Sequence, residues 1–220
     1  MTYETKEYTI YYNECDSVYI KRLVFYFEKE KKKIFDFFEI KSLDKKLVIK
    51  LYDNLDKYIE YRNGNLAESS VGNMDVDDNN YYIHILSYKE FVKRKGHMNQ
   101  TLTNFYKLLM HEFVHVCHEQ TGKYHDSLIW VKEGIAIFLS NQYDGYTEKM
   151  DHCNLQNLLN DNRTWYINYY TLIKHAYCMN GISYLKMLSL NPSFALDQTP
   201  LIYKNCMNKF QNKTIDLIKL

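Results

Sequence analysis

The chain has 220 residues, enough for one domain with a full core, and its 28 Lys plus Arg stand against 27 Asp plus Glu, a net charge of +1. So even a balance leaves no excess positive field and argues against a dedicated nucleic-acid binder or a protein recruited to an anionic membrane surface. The five cysteines, Cys15, Cys117, Cys153, Cys178 and Cys206, are odd in number, scattered and without a CxxC pair, which argues against a disulfide framework, a zinc ribbon or a redox motif. They read as reduced thiols of a cytosol. The opening "MTYETKEYTIYYNECD" lacks the basic start and apolar run of a signal peptide, and no apolar stretch approaches the roughly 18 residues of a membrane span. A soluble, cytoplasmic protein without a membrane partner is expected.

In chain order, "EYTIYY" predicts a first short strand. "DSVYIKRLVFYFEKEKKKIFDFFEIKS" predicts a helix capped by Asp16 or Ser17, with Val18, Leu23, Phe27, Ile34 and Phe38 at helical spacing and "EKEKKK" as its wet face. "KKLVIKLY" reads as a strand and "NLDKYIEYR" as a short helix stopped by Asn63 and Gly64. "VGNMDVDDNN" reads as turn-rich, and "YYIHILSY" as a further strand. From Thr101 the pattern turns helical: "TLTNFYKLLMHEFVHVCHEQ", "SLIWVKEGIAIFLSNQY", "TEKMDHCNLQNLLND", "WYINYYTLIKHAYCM", "ISYLKMLSL" and a last segment after Pro192. With two prolines, seven glycines and no linker, the chain reads as a single domain over 1–220, an α/β sheet part at 1–100 and a helical part at 101–220. That order predicts an α+β fold, a small N-terminal mixed sheet with helices followed by a mainly helical half.

"HEFVH" puts His111 and His115 four residues apart, on one helical face and one turn apart, where two imidazoles can grip one ion. Glu112 lies beside that ion without binding it. Thr101 or Thr103 can cap this helix, Leu102, Phe105, Leu109, Phe113 and Val116 or Cys117 give it an apolar stripe, and Gly122 ends it. The two histidines and Glu112 fall largely off the stripe. Zinc in a catalytic site takes a third protein ligand and keeps a position for water. His118 lies about 10 Å of helix rise from His111, too far to share an ion, and reads as a partly exposed polar residue. His125, in "TGKYHD", lies beyond the helix end. Glu133, six or seven residues into a second helix starting near Asp126 or Ser127, returns to the level of His115. Gly134 and Ala136 are small enough to let that helix approach its neighbour closely.

"HEFVH", 17 intervening residues and then "WVKEGIA" resembles the gluzincin group of zinc metallopeptidases, in which an HExxH helix is completed by a glutamate from the following helix. The chain is most similar to the peptidase-MA-like domains related to the thermolysin and aminopeptidase catalytic domains. The motifs cover Leu108 to Leu139, with weaker similarity from about Val48 to Leu188. The resemblance implies zinc on His111, His115 and Glu133, with Glu112 as general base. It also implies an oxyanion donor from a tyrosine that opens a later helix ending about four turns on at a glycine. Matching that glycine to Gly181 points to Tyr166, with Tyr169 and Tyr170 as rivals. "GNMD", from Gly72 to Asp75, faintly resembles the amine-recognition motif of the aminopeptidases, but Asp75 and Val76 replace its glutamate and asparagine.

These residues predict a zinc-dependent peptidase acting on peptide or protein substrates, in which water lowered to a pKa near about 7 attacks the peptide carbonyl. "YYIHIL" could supply an edge strand for an extended peptide. Two alternatives stay open. One is a peptidase resembling the SprT-like proteases, with His125 as third ligand. The other is a non-catalytic, regulatory binding module on a peptidase scaffold.

Overall fold

Strands alternating apolar with polar residues must lay one face on a core, and helices with an apolar face supply the cover. In the computed structural model, which describes residues 1–64, 67 and 70–218, the last eight of them by backbone alone, the chain forms two compact units, Met1–Gln120 and Thr121–Leu220. An N-terminal region of mixed sheet and helices is followed by a predominantly helical half.

The first unit carries a five-stranded sheet of β1 (Thr2–Glu4), β2 (Tyr8–Tyr11), β3 (Lys46–Tyr52), β4 (Gly72–Val76) and β5 (Asn80–Leu86), in the order β1-β2-β3-β5-β4. The β2–β3 and β3–β5 pairs are parallel, and the β1–β2 and β4–β5 pairs are antiparallel. Parallel neighbours need long connections. α1 (Ser17–Phe38) supplies the first, and α2 (Leu55–Tyr61) with β4 the second. After β5 come the short α3 (Tyr88–Phe91) and the long α4 (Leu102–Gln120).

The two sheet faces differ in chemistry. On the inner face Ile10, Leu47, Ile49, Ile83 and Ile85 are buried beneath α1 and α4. An aromatic chain joins the layers: the Tyr8 ring lies 5.2 Å from that of Phe27, and Phe27 lies 4.8 Å from Phe113 of α4. The outer face is aromatic and polar. Tyr61 of α2 stacks on His84 at 3.7 Å, Tyr52 donates its hydroxyl hydrogen bond to, or accepts one from, His84 Nδ1 at 2.8 Å, and Tyr61 donates to Asp75 Oδ2 at 3.2 Å. α2 is held at its start by Asn54 Oδ1, which accepts from the backbone of Asp56 and Lys57, and it stops where Asn63 and Gly64 turn left-handed.

The second unit is built from α5 (Ile129–Leu139), α6 (Leu155–Leu159), α7 (Tyr166–Leu190) and α8 (Pro192–Ile218). α5 packs on α7, and Trp130 Nε1 donates to Thr199 Oγ1 of α8 at 3.2 Å. α7 is two helical runs broken at Gly181, whose φ of 77° only glycine adopts readily. Among the described residues no helix is long and apolar enough to cross a membrane.

Several sequence expectations need correction. "GNMDV" is not a turn: cross-strand pairing with β5 overrides its turn-rich composition, and the tight turn is confined to the residues after it, where Asp77 Oδ1 accepts from Asn79 and Asn80. "YYIHIL" is β5, an interior strand flanked by β3 and β4, so the sheet ends on β4 instead. The strand β1 has no counterpart in the sequence reading. Val18 faces solvent at 83% exposure and does not join the stripe of α1. Of "TEKMDHCNLQNLLND" only Leu155–Leu159 is helical.

Burial, reinforced by the Lys50 charge and opposed by Asp75, lowers the His84 pKa to about 4. The unfolded histidine, near its ordinary 6.5, therefore binds a proton that the folded one refuses. The stabilisation is present in full above that pH and is lost as pH falls from about 6.5 towards 4. Urea unfolding at pH 7 and pH 4.5 should show this loss, and His84→Gln should flatten that part of the profile.

Candidate metal centre

α4 begins where Thr101 Oγ1 accepts from Asn104 N at 3.2 Å, and from Phe105 to His118 every residue except Lys107 is buried. The helix is covered around its circumference, so its polar residues off the apolar stripe are buried too. His111 and His115 project from the same side, as their four-residue spacing requires, with ring planes at 85° and centroids 4.7 Å apart. Their Nε2 atoms are 3.1 Å apart. Either one ring donates to the other or both lone pairs face a common cation.

Glu133, half-buried on α5, completes a group: one ligand atom each from His111, His115 and Glu133 all lie within 4.8 Å of one another. Two nitrogens bound to tetrahedral zinc at about 2.0–2.1 Å would stand about 3.3 Å apart, close to the separation of the two imidazoles. Two neutral imidazoles and one carboxylate are also the donor set that suits a divalent ion of zinc's character. The cluster can hold such an ion.

The remaining histidine candidates lie elsewhere. His118 is buried, not partly exposed as expected, and stacks on Phe38 of α1 at 5.4 Å. His125 is exposed with its ring edge-on to Tyr124, and among the described residues the potential metal group includes Glu133 and not His125.

Glu112 is buried at the same level of α4 and reaches the sheet. Its Oε1 lies so close to Gly72 of β4 that a Cβ on that glycine would meet it at 2.6 Å. Tyr58 of α2 is fully buried, and its phenol is held well above its ordinary pKa by burial first and by the negative charge of Glu112 second. Neither Gly72 nor Tyr58 was recognised in the sequence as a neighbour of the motif. The signal available for Gly72 was the "GNMD" string itself, which its glycine and asparagine disguised as a turn.

The three tyrosines differ. Tyr166 is the first residue of α7 and 42% exposed, and the helical run it opens breaks at Gly181. Tyr169 is buried, and its hydroxyl accepts from Thr164 N at 2.8 Å. Burial raises its pKa, opposed by the Thr164 hydrogen bond and reinforced by the Glu133 charge. Tyr170 is buried with the Lys174 ammonium 5.3 Å over its ring.

Gly134, next to Glu133, makes a close contact within its own unit. A Cβ there would lie 2.5 Å from Ile173 Cγ1 and 2.9 Å from the Tyr169 carbonyl oxygen, so the close approach it permits is to α7. That contact fixes the turn of α5 from which Glu133 projects.

No protein-family model matches the chain, and no curated protein matches it either. The chemistry of the site therefore rests on its own residues.

Gly134→Ala should cost about 1–3 kcal/mol through overpacking against the α7 backbone. The measurement is the shift of the urea midpoint, and a midpoint equal to that of the parent chain would refute the close-approach role.

Proposed function

We propose that the protein is a zinc-dependent peptidase in which His111, His115 and Glu133 hold the ion. The observation that carries this reading is the convergence of three donor atoms, two nitrogens and one carboxylate oxygen, within 4.8 Å on residues already picked out by "HEFVH" and "WVKEGIA". A bound zinc ion supplies Lewis acidity and brings the pKa of water down towards about 7.

The chain's own groups do the rest. Glu112 accepts the proton of the attacking water and passes it to the departing amine nitrogen, a task for which its burial beside the ligand pair suits it. Tyr166 donates to the oxyanion; its exposed position at the opening of α7 supports this choice over the buried Tyr169 and Tyr170. β4, the terminal strand of the sheet, pairs with an extended substrate through its outer edge. This replaces β5, which is interior. The substrates are peptides or proteins, and the chain works as a single peptidase domain in the cytoplasm.

The test joins metal content with turnover. Purified protein should carry about one zinc per chain and cleave members of a peptide library. Glu112→Gln should keep the zinc and lose about 10²–10⁴ in kcat, whereas Glu133→Ala should lose the zinc itself. Metal-free parent protein, or undiminished cleavage by the Glu112 variant, would overturn the proposal. Zinc retained by Glu133→Ala but lost by His125→Ala would transfer the third ligand to His125. Zinc that binds no hydroxamate would mark a closed, structural site.

A further inference from the structure

Gly72 stands in a strand that has no conformational need for glycine. Gly64, Gly96, Gly122, Gly145 and Gly181 occupy the left-handed region, but Gly72 does not, so an L residue could adopt its backbone. Space is what excludes a side chain. A Cβ at position 72 would stand 2.6 Å from Glu112 Oε1, 3.1 Å from its Cδ and 3.2 Å from its Cγ. Cγ, Cδ and Oε1 of the Glu112 side chain thus lie along the bare Cα of the strand.

The hydrogen-bond pattern of β4 locates its outward-facing groups. Leu86 N donates to the Val71 carbonyl oxygen and Asp77 N to that of Asn80, both at 3.0 Å, while Gly72 pairs with Ile85 and Met74 with Ile83. Antiparallel ladders alternate between bonded and unbonded pairs. Residues 71, 73, 75 and 77 therefore turn their N–H and C=O groups towards β5, and Gly72, Met74 and Val76 turn theirs to the outer edge. The same alternation puts Asn73 and Asp75 on the outer sheet face, where Asp75 accepts from Tyr61 and Asn73 Nδ2 donates to the Tyr61 hydroxyl at 3.2 Å. The residue against which Glu112 rests is therefore one whose peptide groups are presented for pairing.

We propose that Gly72 is a positioning residue for peptide cleavage. This rests on the peptidase reading above. Its missing side chain lets the Glu112 carboxylate lie directly beside the strand, so the base stands next to the substrate peptide group that pairs with Gly72, and this sets which bond is cut. A methyl group at position 72 pushes the carboxylate aside while leaving His111, His115 and the outer edge of β4 in place, because the nearest obstructing atom is the far end of a flexible side chain.

The experiment compares the full chain with Gly72→Ala, both zinc-loaded, by crystallography and by steady-state cleavage of one library-derived peptide. The expected variant has parental zinc content, KM within about a factor of two, and kcat lower by on the order of 10²-fold, the scale of a misplacement of about 1 Å. Its crystal structure should show Glu112 in a new rotamer with β4 unmoved. Parental kcat in the variant, or Glu112 unmoved with β4 displaced, would overturn the proposal. Parent protein with neither zinc nor turnover would overturn the peptidase reading instead, and the two crystal structures would still decide the Gly72–Glu112 contact.

Discussion

Two imidazole nitrogens and a carboxylate oxygen gathered within 4.8 Å are the constraint on which the functional reading depends. Donors of this kind repel or compete for protons at such a distance, and a divalent cation satisfies them together. The two nitrogens come from one helix by the arithmetic of a 3.6-residue turn, so their relative position is fixed as soon as α4 forms. The oxygen comes from a helix whose own placement depends on a glycine. Gly134 lets α5 seat against the backbone of α7, and Glu133 is carried with it.

Burial gives the cluster its chemical character. α4 is covered on nearly all sides, so His111, Glu112 and His115 sit away from bulk water, where charge interactions are stronger than in solution. The cover is aromatic on one side, through Phe27 and Phe113, and polypeptide backbone on another, at Gly72. This second neighbour links Glu112 to the terminal strand of the sheet. The peptidase proposed above, holding an extended chain and abstracting a proton beside it, would need that adjacency.

Much of this was legible in the residues. The HExxH spacing, an α4 start at Thr101 or Thr103 and the helical break at Gly181 follow from local rules of periodicity, capping and glycine conformation, whereas Glu133 is picked out by its level on the following helix. The mixed sheet followed by helices was legible from the change in pattern near Thr101. What escaped depends on partners distant in sequence. β4 is a strand because β5 offers it a ladder, and no property of "GNMDV" alone announces that. His118 is buried because Phe38, 80 positions earlier, supplies a ring for it to stack on. Gly134 was seen to be small for a reason, but which helix comes close to it is a tertiary fact, and that helix is α7.

The most direct measurement is a crystal structure of the zinc-loaded chain with anomalous scattering collected at the zinc edge. One strong peak is expected within about 2.0–2.2 Å of Nε2 of His111, Nε2 of His115 and a carboxylate oxygen of Glu133. A peak elsewhere, or a coordination shell from which Glu133 is absent, would contradict this expectation.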